Sequence, residues 1–171
     1  MITIREYVDR ILSWAVIILM AVLVVDVLWQ VFTRFVLADP SSYTEELARY
    51  LMIWVGLLGA AYAAGKRMHL AVDLLPSMLT GRKKHILGLV IDGFTILFAV
   101  AIMIIGGSRL VWIMLYLGQT SPALQIPLGV VYLVVPISGV FITFYAVVFI
   151  LEHLQALREP PGETVTAEAT S

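Results

Sequence analysis

The sequence predicts an all-α integral membrane protein with four transmembrane helices and both termini in the cytoplasm. Three observations lead there. The 171 residues are 61% hydrophobic and 13% charged, where a soluble domain carries ~25% charged residues, and mean hydropathy is +0.97. Four apolar runs reach the ~20 residues that cross a ~30 Å hydrocarbon core. Basic residues collect on one side of those runs.

The first span covers 11–35. Its apolar run is too long for a signal peptide and no small-residue cleavage site follows, so it is read as retained. Asp26 lies near its middle, where a charged aspartate costs roughly 2.5–3.5 kcal/mol on insertion scales. Gln30 and Arg34 follow at steps of four, so a polar face is expected to turn away from lipid. An intramembrane acid suggests an ion pathway, but a polar contact that joins helices is the favoured reading for Asp26.

The second span covers 47–65, preceded by Ser-Tyr-Thr-Glu-Glu. Ser42 and Glu45 have the spacing of a capping box, and Glu45 and Arg49 that of an i,i+4 ion pair. Arg34, Asp39, Glu45, Glu46, Arg49 and Arg109 are all placed near one membrane boundary. Glu45, Glu46, Arg49, Arg34 and Arg109 are therefore candidates for assembly or docking. Within the span, Gly56 and Ala60, and Gly59 and Ala63, repeat small-xxx-small spacing, which lets two backbones approach closely.

Residues 69–85, HLAVDLLPSMLTGRKKH, predict a short interfacial segment in the middle loop: Leu70, Leu74, Leu75 and Leu79 form an apolar stripe flanked by basic residues, a pattern that contacts membrane lipids. The third span covers 86–117. At ~1.5 Å per residue it would reach ~48 Å, so it must tilt, break or project, with Gly106-Gly107 the weak point. Asp92 is a second candidate intramembrane polar contact beside Asp26 and Gln30. The fourth span covers 128–151, and residues 156–171 read as a short disordered cytoplasmic tail. Residues 1–155 form one membrane domain.

Orientation follows from position. Arg5 and Arg10 precede the first span, Lys66, Arg67, Arg82, Lys83 and Lys84 fill the middle loop, and Arg158 follows the last span. The positive-inside rule puts these on the cytoplasmic side. No cysteine is present, which removes disulfides and thiol chemistry. The net charge of −1 gives no nucleic-acid footprint. His69, His85 and His153 lie at helix edges or in loops, unlike haem ligands in a bundle core. No catalytic motif occurs, so neither an enzyme nor a cofactor is expected.

Two stretches carry a family resemblance. TEELARYLMIWVGLLGAAYAAGKRMHLAVDLL contributes Thr44, Glu45, Glu46, Leu47, Ala48 and Arg49, then His69, Val72, Asp73, Leu74 and Leu75. TSPALQIPLGVVYLVVP, residues 120–136, is the second, with Gln125 where glycine is expected. Together they resemble the small membrane subunit (DctQ family) of tripartite ATP-independent periplasmic (TRAP) transporters. The resemblance implies four helices in the bacterial inner membrane. It also implies a large TRAP membrane subunit and a periplasmic solute-binding protein as partners, and sodium-coupled uptake of a carboxylate-bearing solute. This subunit would act as scaffold, with no substrate or sodium site of its own. The competing reading is a self-sufficient oligomeric carrier or channel with Asp26 as its ion-responsive group.

Overall fold

A computed structural model describes residues 2–37, 41–66 and 82–158. Within them the chain is helical, with an isolated bridge between Thr120 and Pro127 in place of any strand. The helices are α1 (Ile2–Phe35), α2 (Ser42–Gly65), α3 (Arg82–Phe98), a π-helical segment (Ala99–Gly106), α4 (Gly107–Tyr116), α5 (Leu128–Tyr132) and α6 (Val134–Arg158). Four stretches are long and apolar enough to cross a membrane: Ile4–Phe35, Ser42–Gly65, His85–Tyr116 and Leu128–Leu157. The helices extend beyond the apolar runs, α6 as far as Arg158. Residues 67–81 of the middle loop, with His69, Val72, Asp73, Leu74 and Leu75, and also Asp39 and the tail beyond Arg158, lie outside the described residues; the end of the expected interfacial segment, 82–85, is already helical in α3.

The spans stand in an open row. α1 packs on α2, α2 on α6, and α6 on α3 and the π-helical segment. The last span is therefore the centre: 33% of its most apolar window is buried, against 11% in the first and third spans. Leu12, Leu58, Ala61, Val134, Tyr145 and Phe149 form the core that joins α1, α2 and α6. On α1 the covered stripe is Val8, Leu12, Val16, Leu19, Leu23, Asp26, Gln30 and Thr33, a three-and-four spacing that keeps one helix face toward α2.

This stripe changes the polar face expected on α1. Asp26 and Thr33 are buried, Gln30 is half-buried, and Arg34 is exposed. Successive steps of four overshoot a 3.6-residue turn, so Arg34 rotates off the face that Asp26 occupies.

The third span does not break at Gly106-Gly107. It runs unbroken from His85 to Tyr116 and widens into π-winding over Ala99–Gly106. The reason lies in the spacing of its covered residues: Ala99, Met103, Gly107 and Val111 recur at strict steps of four. An α-helix would carry such a series steadily around its axis. Winding with i→i+5 bonds holds more residues per turn and keeps them facing α6. Contact there is close. A Cβ on Gly139 would lie 2.8 Å from the Met103 side chain, and one on Gly107 2.9 Å from Val135.

Candidate functional site

The polar groups concentrate at the two ends of the row. At the loop end, which carries the α1–α2 connection and residues 117–127, α2 begins at Ser42 with Ser41 as N-cap, and Ser41 makes no side-chain cap hydrogen bond. The capping box expected from Ser42 and Glu45 therefore does not form. Ser42 is already the first helical residue, and Glu45 turns instead to Arg49, at 3.5 Å, with both side chains about two-thirds exposed. The Thr44 hydroxyl closes the first turn by donating to the Ser41 carbonyl at 2.9 Å.

Glu46 reaches across the molecule. One carboxylate oxygen accepts the backbone N–H groups of Ala123 and Leu124, both at 2.9 Å, and the other accepts the Tyr50 hydroxyl at 2.8 Å. The loop it holds is tightly built. Gly118 at φ +60° ends α4, with Gly118 N–H donating to Leu115 and Gln119 N–H to Met114, the paired bonds of a Schellman motif. Ser121 and Ile126 pair at 2.9 Å, and Gln125 occupies the left-handed region at φ +56°. That is why glycine is the expected residue there: any Cβ is strained in this region. The two motifs of the sequence thus meet in space, the EELAR glutamate closing on the PAL backbone.

Ser42, Glu45, Glu46, Arg49, Pro122 and Ala123 line a shallow depression of ≈ 170 Å³ open to the outside. Arg34 and Arg109 are exposed and make no ion pair among the described residues. Among the described residues the loop end thus shows no continuous ring of charge: Glu45 pairs with Arg49, Glu46 turns to Tyr50 and the 123–124 backbone, and Arg34 and Arg109 stand apart.

At the terminal end, sequence reading missed the main feature. Asp9 of α1 accepts the Tyr145 hydroxyl at 2.5 Å and pairs with Lys66 at 2.8 Å. Arg5 pairs with Glu152 at 3.1 Å and donates to the Gly65 carbonyl at 3.0 Å. Its guanidinium also lies 5.1 Å from the Phe149 ring centre. Three spans are tied together here. The hydrogen bond and charge of Asp9 hold the Lys66 ammonium above its usual pKa range. The missed signal was that charges flanking separate spans had opposite signs on one membrane side, which only the helix order turns into pairs.

The intramembrane acids differ. Asp26 is 8% exposed, and its Oδ2 is buried without a hydrogen-bond partner among the described residues. Asp92 Oδ2 lies 3.6 Å from His153 Nε2. The small residues of α2 divide by face. Ala61 is fully buried, whereas a Cβ on Gly56 or Gly59 would meet nothing within 4 Å. Ala60 is exposed and Ala63 half-buried. The described residues leave the Gly56 face uncovered.

Residues 23–156 match the family described as tripartite ATP-independent periplasmic transporters, DctQ component. The chain belongs to this family. Relatives include a putative TRAP transporter small permease protein of Haemophilus influenzae, 28% identical over 82% of this chain and 86% of that protein. The sialic acid TRAP transporter small permease protein SiaQ of Vibrio cholerae is 28% identical over 82% of this chain and 79% of its own length. The isethionate TRAP transporter permease protein DctMQ of Oleidesulfovibrio alaskensis is 34% identical over 59% of this chain, a stretch that spans 16% of that longer protein. This DctQ-family chain is a multi-pass inner-membrane protein and a transporter permease component, not an enzyme.

Proposed function

We propose that this DctQ-family chain is the scaffold on which a large TRAP membrane subunit sits. The assembly performs sodium-coupled uptake of a carboxylate-bearing solute delivered by a periplasmic binding protein. The termini and middle loop face the cytoplasm, as the basic residues direct, and the loop end faces the periplasm. The observation that carries the reading is the uncovered face of α2, where Gly56 and Gly59 leave open space around their Cβ positions. Small residues lining a bare transmembrane face suit close approach of another helix. The match within a longer permease protein supports a subunit that works as part of a larger transmembrane body. Two relatives are named for anionic solutes, sialic acid and isethionate, in keeping with an acidic cargo. The depression beside Glu45 and Arg49 is the surface assigned to docking of the binding protein.

The test is recovery of the tagged chain from its native membrane in mild detergent, for the wild type and for Gly56→Leu with Gly59→Leu. A stable complex with a much larger membrane protein is expected, lost in the double variant while the isolated chain keeps its helicity. An undiminished complex in the double variant removes the assigned face. Recovery of this chain alone as a defined oligomer removes the scaffold reading. It would favour the self-sufficient carrier, for which buried Asp26 is the specific observation; uptake by the chain alone in liposomes, abolished by Asp26→Asn, would establish that rival.

A further inference from the structure

The third span is an outer post of the row, packed on α6, and the face it turns outward carries a charge with no counter-charge nearby. Between Asp92 and Glu152 the sequence holds a single charged residue, Arg109. Ile105, Arg109, Trp112 and Tyr116 follow one another at steps of four, three and four, which keeps them on one side of a helix. All four are exposed, Trp112 at 68% and Tyr116 at 78%, whereas Met103, Gly107 and Val111 are buried.

Depth shows why this charge needs an anion. The uncharged run 93–108 and the whole span His85–Tyr116 share one middle, between residues 100 and 101. At ~1.5 Å per residue Arg109 lies ~13 Å from that middle, against a half-thickness of ~15 Å for the hydrocarbon core. Its backbone is thus just inside the hydrocarbon, and its long stem lets the guanidinium reach the phosphate layer. Trp112 and Tyr116 stand one and two turns further out, at headgroup level, where such amphipathic rings collect. Their rings stack with centres 5.6 Å apart and planes at 20°, a flat wall beyond the arginine.

The described carboxylates of the loop end are engaged elsewhere. Glu45 pairs with Arg49, and Glu46 accepts Tyr50 and the N–H groups of Ala123 and Leu124. Arg109 makes no ion pair among the described residues. The face also differs from that of Gly56 and Gly59. It presents bulky side chains where close approach of a second helix calls for small ones. A lipid, with a phosphate at one end and a fluid chain below, fits both the charge and the bulk.

We propose that Arg109, Trp112 and Tyr116 form a headgroup site for one anionic phospholipid in the leaflet at the loop end. The guanidinium binds the phosphate through its fork of N–H groups. The indole N–H and the phenol O–H supply further donors to the headgroup oxygens, and Ile105 with Ile102, which is also exposed, lies along the acyl chain. The inference stands apart from the scaffold reading, since it concerns the lipid contact of an outer post.

The test is ¹⁹F NMR of the full-length chain carrying 5-fluorotryptophan, in nanodiscs of phosphatidylcholine with a rising share of phosphatidylglycerol. Trp112→Phe assigns the Trp112 signal. The Trp54 signal reports on the fold, because its indole donates to the Val131 carbonyl at 3.0 Å. The Trp112 signal should shift and saturate while phosphatidylglycerol is still the minor lipid. In Arg109→Gln the half-saturating share should rise several-fold with the Trp54 signal unchanged. Arg109→Lys keeps the charge and loses the fork, and should fall between the two. A Trp112 shift that simply follows phosphatidylglycerol content, or one unaltered in Arg109→Gln, would overturn the proposal. So would a Trp112 signal that stops responding once a large membrane protein is co-purified, which would give this face to a protein partner.

Discussion

The two ends of the row solve the same problem with different chemistry. At the terminal end, side chains bind side chains: Asp9 to Lys66 and Tyr145, Arg5 to Glu152. Three spans are joined there, and these four charges are paired within the chain. At the loop end a single carboxylate, Glu46, binds backbone N–H groups of a turn, while Glu45, Arg49, Arg34 and Arg109 remain exposed. One end is closed on itself. The other leaves these charged side chains at its surface.

Breaking the closed end should have the largest effect. Asp9→Ala leaves Lys66 and Tyr145 without their acceptor. A buried pair broken on one side costs 3–5 kcal/mol. Lys66 is 41% exposed, so solvent screening reduces the expected loss to roughly 1–3 kcal/mol, read from denaturant unfolding in detergent. The sign with pH is fixed by the raised pKa of Lys66. The stabilisation is complete below the unfolded lysine pKa of ~10.4 and is lost as pH rises through the higher folded value. The difference between wild type and variant should therefore stay constant from pH 6 to pH 9.

At the loop end, Glu46→Gln exchanges a charged acceptor for a neutral amide. Global stability should change less than in Asp9→Ala. Amide hydrogen exchange at Ala123 and Leu124 should accelerate several-fold, with the α6 core unaffected, because the opening is local. Equal protection in both proteins would show that the turn holds itself.

Gln125→Gly sharpens the same comparison in the opposite direction. Relief of the left-handed strain, less the added chain entropy of glycine and the lost bond from Gln125 Nε2 to the Pro122 carbonyl, should stabilise the loop by about 0.5 kcal/mol. A higher melting temperature than wild type is the expected reading. The smallest change in stability belongs to Glu45→Gln with Arg49→Gln. That exposed pair should contribute under about 0.5 kcal/mol, yet under the docking assignment the double variant lowers uptake by the assembled transporter. Unchanged uptake would separate these residues from docking.

The four spans were legible because the bilayer imposes length and hydropathy, and the sequence displays both at each run. What sequence could not show depended on partners. The Glu45–Arg49 spacing was readable along one helix, whereas the bond from Glu46 to Ala123 crosses 77 residues. Two motifs were visible as separate words, and their contact required the fold. The expected capping box failed by one residue of helix phase. The four-residue recurrence of Ala99, Met103, Gly107 and Val111 was present in the sequence, but the paired glycines drew the expectation of a break instead of wider winding. Arg5 was counted only for orientation and Asp9 not at all, since nothing local reveals that their partners are Glu152 and Lys66.

The order of the row has a mechanical consequence. Stability in such an arrangement runs through nearest neighbours, as it does in repeat proteins, and the last span in sequence is central in space. Pulling from the amino terminus extracts α1, an outer post, and leaves three spans in contact. Pulling from the carboxyl terminus withdraws the middle post first, so that α1 with α2 and the third span lose their common neighbour together. Force applied to the two ends of one chain should thus trace different unfolding paths, with a larger first rupture from the carboxyl side.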